Sequence, residues 1–121
     1  MISVARLAVM GVLAMLVWVT PAQAQDIDGT WQFTVELDVG RGRPTFVFTQ
    51  DGDTLSGIYQ GIFDEADVSG TIQDDRVEFW FELQGGKVTY SGTVDASTMI
   101  GTCDYVGVGS GIWQGERVSG E

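Results

Sequence analysis

Residues 76–83, Arg76-Val77-Glu78-Phe79-Trp80-Phe81-Glu82-Leu83, decide the fold. Val77, Phe79, Phe81 and Leu83 fall on one side of an extended chain, and Arg76, Glu78, Trp80 and Glu82 on the other. A period of two with polar partners marks a strand with one buried face. The same pattern runs outward in both directions. Upstream, Trp31, Phe33, Val35, Leu37 and Val39 alternate with Gln32, Thr34, Glu36 and Asp38. Phe46 and Phe48 mark a second strand, Leu55, Gly57, Tyr59 and Phe63 a third, and Val68, Gly70 and Ile72 a fourth. Downstream, Val88, Tyr90, Gly92 and Val94 give a sixth, Met99, Gly101, Cys103 and Tyr105 a seventh, and residues 111–117 the last.

Turn residues separate the runs: Gly40 to Pro44, Asp51-Gly52-Asp53, Asp64-Glu65, Asp74-Asp75, Gln84-Gly85-Gly86, Asp95-Ala96-Ser97 and Gly107 to Ser110. These are short, hairpin-type connections. No stretch has an apolar helical period. Eight sequential strands joined by hairpins form a meander, and a meander of that size removes its edges by closing. The expected fold is all-β: an eight-stranded antiparallel up-and-down barrel. A Ser-Gly pair recurs in Leu55-Ser56-Gly57-Ile58-Tyr59, Val68-Ser69-Gly70-Thr71-Ile72 and Tyr90-Ser91-Gly92-Thr93-Val94. Inward glycines at 57, 70, 92 and 101 would relieve crowding where strands coil tightly.

The N-terminus reads as an export signal. Arg6 precedes an uncharged apolar run from Leu7 to Val19, Thr20-Pro21 ends it, and Ala22-Gln23-Ala24 supplies a small-x-small cleavage pattern. The run is shorter than the roughly 20 residues a bilayer span needs. Cleavage is expected after Ala24, giving a signal peptide of residues 1–24 and a barrel domain of residues 25–121 in a secreted or periplasmic protein. Removing 24 of the 121 residues leaves 97, enough for one small domain. That domain keeps all 17 acidic residues and five of the six basic ones, a formal charge of −12. Such a surface repels nucleic acid and anionic membrane. With Cys103 the only cysteine, no disulfide staples the domain, and stability must come from packing and sheet closure.

The chain has no histidine, which removes the commonest general base and the commonest metal ligand. Triad and Cys-His hydrolysis and most zinc chemistry are excluded, so no enzyme, catalytic residue, metal or cofactor is expected. Cys103 has no basic neighbour in sequence to lower its pKa and reads as a buried structural thiol. Glu78 and Glu82 share a face with Trp80, but that face is the outward one. They read as solvated rather than as a glycosidase pair. Asp26-Ile27-Asp28-Gly29 and Asp51-Gly52-Asp53 echo oxygen-rich loops without a full calcium pattern, and aspartate is also an ordinary turn residue.

The strand order places the first, third, fifth and seventh turns at one end, here the top, with Arg41 and Arg43. The tight acidic turns and both chain ends lie at the bottom. There Trp31 begins the first strand and Arg117 ends the last. Closure makes these strands neighbours, so Arg117 can lie across the Trp31 ring. Gly29-Thr30-Trp31 with an arginine ending the final strand resembles the signature of the calycin barrels: lipocalins, fatty-acid-binding proteins and avidins. Leu55-Ser56-Gly57-Ile58-Tyr59 is also similar to an avidin strand. The resemblance spans the topology of residues 25–121 and implies that Trp31 and Arg117 are a structural pair sealing the closed end. The chain is short for these families and lacks the lipocalin helix. The avidin ligand set cannot be placed on it, so no family ligand residues carry over.

Tyr59, Tyr90 and Tyr105 fall on the inward face. Their hydroxyls would either orient a small apolar or amphipathic ligand in the interior, or fill the core and reach the rim. Trp80 is either a contact for a protein or carbohydrate partner, or a strand residue packed on its neighbours' stems. Two functions stand open. One is an exported binding module for a small apolar or amphipathic molecule. The other is a filled barrel serving as a structural or protein-interaction module, with Trp80 or the Arg41/Arg43 hairpin as its contact.

Overall fold

In the computed structural model residues 76–83 form a strand with Val77, Phe79 and Phe81 buried and Arg76, Glu78 and Glu82 exposed. The structure describes residues 25–61, 64–84 and 86–120. The export segment 1–24, Phe63 and the turn residue Gly85 lie outside the described residues. In chain order the strands are β1 (Gly29–Leu37), β2 (Gly40–Gly42), β3 (Thr45–Asp51), β4 (Thr54–Gln60) and β5 (Glu65–Gln73). They continue with β6 (Arg76–Leu83), β7 (Gly86–Asp95), β8 (Thr98–Tyr105) and β9 (Gly109–Gly120).

From β3 to β9 each strand pairs antiparallel with the next, β1 pairs with β3, and β9 returns to β1. The closing ladder runs from Gly29↔Gly120 to Leu37↔Gly111. The eight long strands therefore form a closed up-and-down barrel, and among the described residues no full-length strand has a bare edge.

Two expectations at the first connection are corrected. Val39 does not continue the inward row: β1 ends at Leu37, and Val39 stands in the turn, 66% exposed. The expected loop from Gly40 to Pro44 is partly strand, because β2 pairs with the upper end of β1 through Glu36↔Arg41 and its neighbours. β2 and β3 are one arm interrupted at Arg43-Pro44. Proline has no N–H for the ladder, yet its carbonyl still accepts from Phe33 N at 3.0 Å, so the arm stays docked on β1 across the break.

The inward residues make one aromatic core. Trp31, Phe33, Phe46, Phe79 and Tyr90 have no exposed surface. Each such side chain stabilises the fold by roughly 1.5–3 kcal/mol through burial. Phe33 stacks on Trp113 with centroids 4.8 Å apart and planes 6° from parallel, and Phe79 stacks on Tyr90 at 5.1 Å. Glycines make room for these rings. Gly92 and Gly101 face each other across β7 and β8, and Trp113 lies against them. A Cβ on Gly92 would come 2.8 Å from Trp113 Cζ2, and one on Gly101 would come 2.7 Å from Gly92 Cα.

The bottom is closed by residues 25–28, which fold across it. Ile27 is fully buried, and its carbonyl accepts from Trp31 Nε1 at 3.0 Å. Gln50 locks the segment, its backbone N–H donating to Asp28 Oδ1 at 2.6 Å while its own Oε1 accepts from Ile27 N at 2.8 Å. Arg117 lies over the Trp31 ring, 4.7 Å from the centroid. Its guanidinium donates to the carbonyls of Asp26, at 2.7 Å, and Asp28. Arg117 thus ties residues 26–28 to the final strand.

Candidate functional site

Among the described residues, the packing stops at the top of the barrel. The Phe33–Phe46–Phe79–Tyr90–Trp113 cluster fills the interior up to the level of Tyr90. Above it, at the mouth, lies a pocket of about 350 Å³. Its wall on one side comes from Val35, Leu37 and Pro44, and on the other from Tyr59 and Tyr105, with Arg41 and Arg43 on the rim and Asp64 opposite. Each group is there for a local reason. Val35 and Leu37 are the upper inward positions of β1. Tyr59 and Tyr105 close β4 and β8 at the top. The arm of β2 and β3 runs along β1 in one register across Arg43-Pro44, which sets Arg41, Arg43 and Pro44 beside the opening.

Tyr105 links pocket to core. Its hydroxyl lies 2.6 Å from that of Tyr90, which is fully buried. Whichever of the two donates, only Tyr105 and Tyr59 line the pocket. Burial pushes the phenol of Tyr90 far above its usual pKa, with the neighbouring Tyr105 adding to the shift. Tyr105 is raised too, chiefly by burial. Tyr59 is raised by burial and then by the negative charge of Asp64. All three are therefore neutral hydrogen-bonding groups, Tyr59 and Tyr105 at the pocket and Tyr90 beneath Tyr105. Tyr59 also stacks on Phe81 with centroids 4.5 Å apart, which fixes its ring as a flat apolar wall.

At the rim, Arg41 Nη2 sits 3.3 Å from Glu36 Oε2, an exposed pair of little energetic weight. Arg43 is exposed, and its backbone carbonyl is held by Gln32 Nε2 at 3.0 Å. Val39, Val106 and Val108, all more than half exposed, continue the apolar surface outward from the opening.

The structure thus brings together four of the residues singled out from sequence: Tyr59, Tyr105, Arg41 and Arg43. Tyr90 is separated from them in role, since it supports Tyr105 from within the core. Trp80 lies elsewhere, half-buried on the outer wall of β6, with Lys87 Nζ 5.6 Å from its ring centroid. Sequence reasoning did not assign Leu37, Pro44 and Asp64 to the site. Leu37 was legible as an inward residue of β1, and Pro44 falls on the alternation of Phe46 and Phe48, whereas Asp64 comes from a connection whose path no periodicity reveals.

Cys103 points inward from β8 and is buried, and burial raises its thiol to about 11. At the bottom, Asp26 Oδ1 accepts from Asp28 N at 2.9 Å and Asp28 Oδ1 accepts from Gln50 N, so both carboxylates act as turn and cap acceptors. Among the described residues, no three His, Cys, Asp or Glu side chains converge on a point where a metal ion could sit. Comparison with protein-family models and with curated proteins finds no match to this chain. The likeness to calycin barrels rests on the closed eight-stranded topology and the Trp31–Arg117 seal.

Proposed function

We propose that this protein is an exported binding module that holds a small amphipathic molecule in the mouth of its barrel, not deep in the interior. The observation that carries this reading is the pocket of about 350 Å³ above a filled aromatic core. Pockets of a few hundred Å³, apolar with a few convergent polar groups, are the usual form of small-ligand sites. The apolar part of the ligand would lie between Leu37, Pro44 and the rings of Tyr59 and Tyr105. Its polar end would meet the tyrosine hydroxyls or the Arg41 and Arg43 guanidiniums.

The role is non-catalytic. With no histidine and a neutral, inward Cys103 thiol, the mouth holds no activated nucleophile or base. Export fits the N-terminal sequence pattern, and the acidic surface suits a protein that stays free of nucleic acid and anionic lipid.

Native mass spectrometry of the protein purified from its own cell envelope tests the reading. A co-purifying small molecule, displaced in a Tyr59→Ala variant that keeps its fold, is the expected result. An adduct-free protein whose melting temperature is unmoved by a panel of lipophilic acids and alcohols would overturn it. It would favour the second reading, a barrel acting through its surface, for which the exposed rim of Val39, Val106 and Val108 speaks.

A further inference from the structure

A concavity of about 710 Å³ lies outside the barrel on the wall of β6, β7, β8, β9 and β1, where Ile100 and Ile112 stand exposed. The mouth pocket differs from it in what lies beneath. There the hydroxyls of Tyr90 and Tyr105 meet at the top of the aromatic core.

The direction of that hydrogen bond follows from burial. A phenol has one proton to donate and lone pairs with which to accept. Tyr90 has no exposed surface, and among the described residues the partner of its hydroxyl is that of Tyr105, 2.6 Å away. Were Tyr105 the donor, the Tyr90 proton would be buried without an acceptor. An orphaned buried donor is costlier than a spare lone pair on an oxygen. Tyr90 therefore donates and Tyr105 accepts, which leaves the Tyr105 proton for the pocket that its ring lines.

We propose that Tyr105 is the specificity-determining donor of the mouth, and that the ligand presents to it an uncharged oxygen acceptor of the carbonyl type. This rests on the reading of the mouth as a small-ligand site and narrows it to one chemistry at the ligand's inner end. A carboxylate there would give up its water for one neutral donor, in a chain whose formal charge of −11 already opposes an anion. The arginines do not offset that cost, since both stand exposed at the rim and Arg41 already faces Glu36. A charged group, where the ligand carries one, belongs out there. A carbonyl gives up less, and it completes a chain from Tyr90 through Tyr105 to the ligand in which each hydrogen bond polarises the next. Tyr90 is then a positioning residue, acting on the ligand through Tyr105.

Two ligands of one shape test the proposal: 2-acetylnaphthalene and 2-isopropenylnaphthalene, which differ in carrying C=O or C=CH₂. Each is titrated into the purified protein while the amide resonances of Leu37 and Tyr59 are followed. Both should shift these resonances saturably. Tyr105→Phe should weaken the ketone at least about fivefold and leave the alkene within about twofold. Tyr90→Phe should weaken the ketone about twofold, because Tyr105 is no longer held as a donor to the pocket, and leave the alkene unchanged. Lost packing alone would weaken both ligands together, so the ratio of the two affinities isolates the hydrogen bond. Tyr90→Phe also decides the matter if Tyr105→Phe does not fold. With the reverse direction, in which Tyr105 donates to Tyr90, it frees the Tyr105 proton and the ketone binds tighter. A ketone-to-alkene ratio that is unchanged or raised in Tyr90→Phe, or unchanged in Tyr105→Phe, overturns the proposal while the mouth remains a ligand site. Saturable shifts from neither ligand overturn the reading of the mouth along with it.

Discussion

Tyr90 and Tyr105 show how two residues with the same sequence signature acquire different roles. Both follow the inward alternation, and alternation says nothing about depth. Tyr90 lies in the core with its hydroxyl held by Tyr105, whereas Tyr105 reaches the mouth. The asymmetry predicts unequal costs. Tyr105→Phe strands a buried hydroxyl on Tyr90 and should destabilise by about 1–3 kcal/mol in urea unfolding, whereas Tyr90→Phe leaves Tyr105 with access to water and should cost under about 1 kcal/mol. The same burial sets an alkaline limit. Tyr90 and Tyr105 titrate above the ordinary tyrosine value of 10.0 in the folded chain. Above about pH 10 the unfolded chain therefore releases protons that the folded chain retains. Burial of the Cys103 thiol should start a fall in stability above about pH 9, and above about pH 10 Tyr90 and Tyr105 should steepen it, by up to about 1.4 kcal/mol per pH unit for each of the two tyrosines. Equilibrium unfolding at a series of pH values reads this directly, and a flat profile to pH 11.5 would contradict the burial.

Among the elements, the paired ends of β1 and β9 hold the closure. Arg117 covers Trp31 and caps two carbonyls of the segment that plugs the bottom. Arg117→Ala removes a cation–π contact and charge-assisted hydrogen bonds, and should cost about 2–3 kcal/mol. Arg117→Lys should recover less than half of that, because one ammonium cannot reproduce a fork directed at two carbonyls. Thermal unfolding of both variants checks the order. The strands themselves were legible wherever inward side chains are large. Val77, Phe79 and Phe81 mark β6 without ambiguity, and Phe46 and Phe48 mark β3. β2 was hidden because Gly40-Arg41-Gly42 carries no alternation at all. Val39 misled for the opposite reason: it extends the pattern of β1 by two residues past the point where the chain turns. Hydrophobic period reports which face a residue could take, and hydrogen-bond pairing decides where a strand ends.

For the whole molecule, a chain with one cysteine and few basic residues obtains its stability from closing a sheet around aromatic rings. The closed meander, the acidic bottom and the Trp31–Arg117 seal could all be read from strand order, because order alone determines which turns share an end. The two concavities could not. The mouth pocket depends on how high the core is filled and on the connections that surround the opening. The outer hollow depends on residues from five strands becoming neighbours through register and twist. The central functional claim is that the mouth, not the deep interior or the outer wall, takes a small amphipathic molecule. It is tested most directly by following backbone amide resonances of the protein while titrating 1-anilinonaphthalene-8-sulfonate, an aromatic probe with one anionic group. The account predicts saturable shifts at Leu37, Arg41, Tyr59, Asp64 and Tyr105, with Ile100 and Ile112 unmoved. Shifts centred on Ile100 and Ile112, or no saturable shift at the mouth, would contradict it.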